Sequence, residues 1–599
     1  MKMDFLGLKT LTIISRTLDL VRRRGTDIDI DAIPLDDGKT FELYASGNTA
    51  GIFQCDGVGM TSTLRSMKPT RLDDIIAIIA LYRPGPMDQI PKYLDVKHGR
   101  SKRDMLHPLI DDVLTETHGI VVYQEQVMQI AQLLAGYSMG RADILRRAMG
   151  QKNRDIMARE KPHFLSGAAG KGVSSSVAGK IWEFLSKFAE YGFNKSHAAG
   201  YAIVSYQTAW LKAHHLLEFM ASVMSMDMNH SSKLAVAKRE LESMGVNLEA
   251  PCINASDATF AVRDGRIHYA LASIKNVGVG AAEHIVSARG QEPFKDIYDF
   301  ARRIDPSHVT KSALESLARA GAFDTLGLNR CTAFSNVDTL MGFSRAHREQ
   351  KASGQMSLFG DSDNVVAAPQ LTTQTEWSVS EKCRNEIVAI GHYLTTHPLG
   401  LSIDELREQG LMPISEVAKL IRDGRKAIDD VSDIKVAGHL DSVRRRGTKT
   451  GETMAWIKLS DPSGDLSAAV FLDELRKSGR LLKKGALVTM FLNFPKRRGN
   501  NSLRANASLI KPLRKRPGPQ WTALKIHFNK PEAPREVKEI LTSSSARLAR
   551  HHAKTVSFCP CAADLDVEVE FVLPEQYLVN NRVVQAIKMI EGVTSINRQ

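Results

Sequence analysis

At 599 residues and 66.2 kDa the chain is too long for one hydrophobic core, and its 43% apolar and 25% charged content is that of an ordinary soluble multidomain protein. A net charge of +13 and a pI near 9.3 point to a polyanionic partner, nucleic acid or an anionic membrane. The longest apolar stretch, Tyr201 to Met226, holds Lys212, His214, His215 and Glu218, and no basic-then-apolar leader follows Met1, so neither a membrane span nor a signal peptide is expected.

Residues 11–250 read as largely helical. In VVYQEQVMQIAQLLAGYS, Val127, Ile130, Ala131 and Leu134 fall on one helical face and Gly136 ends the run. A second helix runs through YAIVSYQTAWLKAHHLLEFMASVM, with Ile203, Trp210, Ala213, Leu217, Met220 and Met224 as its buried stripe. Between 251 and 345 come a short strand-like stretch, a glycine hairpin and further helices, and 346–375 turns polar and patternless, as a surface linker does. After a connecting helical segment at 376–432, five short strands with Gly, Asn and Asp turns fill 433–512 and predict a small barrel. A basic, proline-punctuated joint then leads to an α/β tail at 520–599. The expected class is multidomain α+β. The six cysteines, at 55, 252, 331, 383, 559 and 561, lack the two-residue gap of a zinc or redox pair and read as reduced cytoplasmic thiols.

The hairpin is the most interpretable motif. In SIKNVGVGAAEHIVSAR, Val277-Gly278-Val279-Gly280 makes a tight turn that opens a helix, with Lys275 just before it. Glycines let backbone approach a phosphate, and a helix N-terminus presents free N–H groups to it. This is a helix-hairpin-helix signature, which grips DNA backbone without reading sequence. His284 stands where that pattern has alanine. The helical region adds RPGPM (83–87), KHGR (97–100), LRRAMG (145–150) and YGFNKSHAAGYA (191–202). Arginine forks suit triphosphate oxygens, and Lys195 and His197 add donors at a second helix start. Arg146 and Arg147 cannot share one helical face, so one of them is expected to be solvated.

KMDFLGLKTL, IIALYRPGPM, HGIVVYQEQVMQIAQLLAGYS, LRRAMG and FAEYGFNKSHAAGYAIVSYQTAWLKAH resemble, in this order, the alpha subunit of bacterial DNA polymerase III. The resemblance covers essentially the whole chain, densely over 1–225 and more thinly from 376. It implies the end of a polymerase palm at 1–10, helical fingers at 11–253, a helix-hairpin-helix domain at 254–345, a linker at 346–375, an OB-fold at 433–512 and a tail at 520–599. Asp4 matches the third carboxylate of a two-Mg²⁺ catalytic site, and Lys2 a triphosphate-contacting lysine. Arg146, Arg147, Asn194, Lys195 and His197 match residues facing the incoming deoxynucleoside triphosphate. The family's other two aspartates precede this position, so the chain as written is expected not to extend a primer alone: one carboxylate does not hold two strongly hydrated Mg²⁺ ions. At 53–60 the sequence departs, with FQCDGVGM where the family has Gln-Leu-Glu-Ser before Gly-Met, which puts any role of Asp56 in doubt.

In the linker, Gln355, Leu358 and Phe359 of QMSLF resemble the pentapeptide that docks on a sliding clamp: a glutamine, then two bulky apolar groups for a pocket. The barrel carries basic runs at 444–446, 449 and 496–498, with Trp456, Phe471, Phe491 and Phe494, and single-strand contact there is expected to be more electrostatic than stacking. The tail resembles the part that docks on the clamp-loader tau subunit. The family's partners are thus primer-template DNA, single-stranded template, deoxynucleoside triphosphates, the clamp, tau and a proofreading exonuclease subunit. Two other readings stay open: a non-catalytic DNA- and clamp-binding adaptor, and the damage-tolerant, error-prone paralogue.

Overall fold

The computed structural model describes residues 7–598 apart from 152, 189–191, 354–366, 396, 424–427, 430, 432–433, 448–452, 496–504, 514–522, 545–552, 561–568, 580–582, 585–586 and 588–589. Helices fill the first half, and their apolar faces form three cores. The helices Gly38–Ser46, Val58–Met67 and Leu72–Leu81 pack with Lys195–His214 around Tyr44, Leu64, Ile78 and Tyr206. The predicted Val127, Ile130, Ala131 and Leu134 are all buried in a second core, on the helix Gln124–Ala135, which ends at Gly136 with a φ of 71°. Its neighbours there are Met139–Gly150, Arg154–Gly170 and Ser175–Phe188.

The third core joins Ile13 and Ile14 to residues 211–343 and to Ala389 and Ile390. Packing therefore does not respect a boundary at 253: Leu216–Met226 and Ser231–Ser243 share this core with the short strands Ala261–Arg263 and Arg266–His268 and with Val279–Arg289. This explains why the helix expected through 201–224 is two. His215, at φ −134° and ψ 53°, leaves helical geometry between Lys195–His214 and Leu216–Met226. The predicted stripe is correspondingly off. Met220 and Met224 are buried, but Ile203, Trp210, Ala213 and Leu217 are only partly so, and Tyr206, Thr208 and Lys212 are buried instead.

The polar stretch from 346 begins as helix, not linker, because Val337–Ser353 continues through it. Arg, Glu, Gln and Lys are good helix formers even without an apolar face. The connecting segment carries Val379–Ile390, Ile403–Glu408 and Ile414–Asp423.

The five expected strands close into a barrel: Ile434–Gly447, Thr453–Asp461, Gly464–Val470, Leu487–Asn493 and Ala505–Pro512. Their spatial order is first, second, third, fifth, fourth, with third and fifth parallel and the helix Leu472–Ser478 between third and fourth. This is OB-fold connectivity, and the alternation of strand side chains sends Val436, Leu440, Ile457, Leu459, Val488 and Met490 inward. The tail has a four-stranded sheet in which Ala523–Phe528 and Ala553–Pro560 lie parallel and side by side, with the helix Ala533–Ser544 between them in the chain.

Candidate nucleotide and nucleic-acid sites

At the hairpin, Asn276 takes the left-handed φ of 67° that turns the chain, and its amide donates to Ser316 Oγ at 3.1 Å. Gly278 follows at φ −67° and ψ 159° and caps Val279–Arg289 with no side-chain acceptor. The first-turn N–H groups of that helix have no carbonyl to meet within it, and Gly278, Val279 and Gly280 lie exposed around them. A Cβ built on Gly278 or Gly280 would meet no protein atom within 4 Å. The fold itself thus does not require glycine at either place, and what the two leave open is room on the outside.

Two residues expected at this contact have other work. Val277 is a core side chain, 3% exposed, and its N–H donates to Ile274 O at 3.0 Å; between a turn and a helix it anchors the hairpin from below. Lys275 donates its N–H to Ala389 O at 2.8 Å and its ammonium to Ile387 O at 3.5 Å, at the C-terminal end of Val379–Ile390 where a cation is favoured. The departure at His284 is accounted for internally. Its Nε2 accepts from the Asp305 N–H at 2.8 Å and its ring stacks on His308 at 4.9 Å, while burial, then His308 and Arg348, hold its pKa below the usual value.

In the helical region, the N-terminus of Gln124–Ala135 gathers several of the predicted strings. Tyr123 and Phe193 form a parallel bridge, and Gln124 N–H donates to Phe193 O at 2.9 Å. Asn194 caps Lys195–His214 by accepting from His197 N–H at 2.8 Å, and its amide donates to Glu125 Oε1 at 3.0 Å. Lys195 N–H donates to Glu125 Oε2 at 3.0 Å, and its ammonium reaches Glu116 at 2.6 Å and lies 5.4 Å from the centre of the Tyr123 ring. His197 sits exposed between Phe193 and Tyr201, 5.6 and 4.6 Å between ring centres. Arg83 of RPGPM lies over the Phe193 ring at 4.6 Å, and Phe53 meets Tyr201 at 5.2 Å.

Both arginines of LRRAMG engage one carboxylate. Asp143 receives Arg146 at 2.5 Å and Arg147 at 2.6 Å, and Arg146 also donates to Gln124 Oε1 at 3.2 Å. Those hydrogen bonds, Arg146's first, hold the Asp143 carboxyl below its ordinary pKa. Arg147 is 64% exposed and so partly solvated, yet it is oriented all the same. KHGR does not join the group, since Lys97 pairs with the fully buried Asp74 at 2.6 Å and Arg100 with Asp95 at 2.9 Å. Asp56 also lies apart, exposed at the turn before Val58–Met67. Sequence reasoning passed over Gln124, Glu125, Glu116 and Asp143, although each stands inside or beside a quoted string.

Lys2, Asp4, Gln355, Leu358 and Phe359 lie outside the described residues. Among the described residues no group of three or more His, Cys, Asp or Glu side chains is placed to hold a metal ion, and no helix is long and apolar enough to cross a membrane. On the barrel, Arg444, Trp456 and Ala469 stand side by side on three adjacent strands, Phe471 is exposed, Phe491 lies 5.8 Å from Lys435 Nζ, and Phe494 is core.

Residues 10–172 match the bacterial DNA polymerase III alpha subunit finger domain and residues 245–333 match a helix-hairpin-helix motif. Among curated relatives, the chain is 40% identical over 593 residues to DNA polymerase III subunit alpha of Caulobacter vibrioides, covering 99% of this chain and 51% of that protein. It is 36% identical over 491 residues to the Bacillus subtilis protein of that name, and 40% over 478 residues to the Thermus aquaticus one, covering 43% and 38% of them. The chain thus spans about half the length of its relatives or less.

Proposed function

Since this chain belongs to the bacterial DNA polymerase III alpha-subunit family, we propose that it supplies the nucleotide-facing and DNA-gripping portion of a replicative DNA-directed DNA polymerase. The observation that carries the DNA part is the uncapped, solvent-facing helix start at Gly278–Gly280, where an added Cβ at either glycine would meet no other part of the protein. Backbone N–H groups so placed take a phosphate oxygen whatever the base, which suits an enzyme that copies every sequence. The excess of 13 positive charges supports the same partner. In the fingers, Arg146, Arg147, Asn194, Lys195 and His197 are the proposed groups for the triphosphate of an incoming deoxynucleotide. Transfer itself requires divalent metal, Mg²⁺ in this reading, for which Asp4 is the proposed ligand and Lys2 an adjoining triphosphate contact.

DNA binding by the purified chain, followed by fluorescence anisotropy on duplex and single strands at rising salt, tests the reading. Log affinity for duplex is expected to fall with log salt by about 0.9 per phosphate neutralised. Absent binding, or binding indifferent to salt, would overturn it. The barrel is the proposed single-strand contact, through Arg444–Arg446 and Trp456.

Docking on a sliding clamp through Gln355, Leu358 and Phe359, on the clamp-loader tau subunit through the tail, and on a proofreading exonuclease subunit complete the proposed partners, in the cytoplasm. Replacing Leu358 and Phe359 together by alanine is expected to abolish clamp binding in surface plasmon resonance and leave DNA affinity as it was, because two apolar anchors carry such a contact. Clamp affinity unchanged in that variant would remove the pentapeptide from the interface.

A further inference from the structure

Resting on the nucleotide reading of the fingers, we infer that Asp143 is a positioning residue, which turns two adjacent arginines into one phosphate-binding fork. Successive helical residues diverge by about 100°, so a bare Arg-Arg pair points two ways. Seen down the axis of Met139–Gly150, Asp143 lies about 60° from Arg146 on one side and about 40° from Arg147 on the other. It is thus the residue from which both can be reached, at i+3 and i+4. It uses one oxygen for each: Oδ1 for Arg146 at 2.5 Å and Oδ2 for Arg147 at 2.6 Å.

Gln124 completes the brace. Its Oε1 accepts from Arg146 Nη1 at 3.2 Å, and its own amide donates to Gly192 O at 3.1 Å, two residues before the Asn194 cap. Asp143, Arg146, Gln124 and Gly192 therefore form a relay that fixes the distance from the arginines to Lys195. The brace leaves donors over. Each guanidinium has five N–H groups, and Arg147 stays mostly in solvent. A carboxylate with both arginines on it could instead be a competitor that phosphate must displace, and the two roles predict opposite signs.

Inorganic tripolyphosphate, titrated into the full 599-residue chain by calorimetry, is the probe. For D143N, which keeps the shape and loses the charge, the expected result is roughly tenfold weaker binding at an unchanged melting temperature. No further loss is expected when D143N is added to R146Q/R147Q. Q124L, which severs the relay elsewhere, is expected to weaken binding about threefold and serves if D143N fails to fold. Binding unchanged in both variants, or tighter in D143N, overturns the positioning role. If instead R146Q/R147Q binds as well as the unsubstituted chain, or the unsubstituted chain does not bind at all, the nucleotide reading itself falls.

Discussion

Replacing Lys212 by methionine is expected to destabilise the helical region by about 3–5 kcal/mol, the cost of stranding a buried charge. The Lys212 side chain is fully buried, its ammonium donates to Glu240 and, at 2.7 Å, to Ala50 O, and Glu240 in turn accepts the Ala50 N–H at 3.1 Å. One ion pair thus satisfies both polar groups of a single peptide residue and ties Lys195–His214, Ser231–Ser243 and the 47–57 turn together. Burial pulls the Lys212 pKa below the usual lysine value despite Glu240, so desolvation outweighs the attraction of its partner. The pair therefore adds little net stability while intact and a large penalty once half of it is gone. The measurement is thermal unfolding: K212M should lower the transition of the helical region by roughly 10 °C. K212M/E240L, which removes both charges, should recover more than half of that loss. A double variant no better than the single one would show that the charges are not what the site depends on.

Lys212 also marks where the sequence stops being readable. The barrel was legible because its signal is local: alternation along Ile434–Gly447 and Thr453–Asp461 gives the inward set directly, and turn residues separate the strands. Gln124–Ala135 was legible for the same reason at period 3.6. A lysine within a helix reads as solvated, and only Glu240, 28 residues on, and Ala50, 162 residues back, make its burial tolerable. The sharing of Asp143 by two arginines rests on spacing that the sequence does contain, but whether that face meets solvent or Gln124 is a tertiary fact. The burial of Val277 was not legible because a hairpin motif specifies the turn and not which of its side chains faces the core. Asp4 and the clamp-like pentapeptide rest on resemblance alone, since neither lies among the described residues.

The other large effect is expected at the hairpin. Alanine at both Gly278 and Gly280 should weaken DNA binding by roughly 10–100-fold, the loss of one or two charge-assisted hydrogen bonds from backbone N–H to phosphate. The loss has to arise outside the protein. Neither glycine has a positive φ, and an added Cβ meets nothing in the fold, so only an approaching ligand would feel the two methyl groups. Stability should hold, because the two substitutions act in opposite directions. Alanine at Gly280, in the first turn, restricts the unfolded chain and is worth about 0.4–1 kcal/mol, while alanine at the Gly278 cap, a poorer cap than glycine, costs about as much. Unchanged melting with weaker binding is a combination that damage to the fold does not produce. Because the contact is to backbone phosphate, the weakening should be equal on unrelated duplexes. A loss confined to one base sequence would mean that side chains, not the helix start, read the DNA, and unchanged affinity would take the hairpin out of the interface altogether.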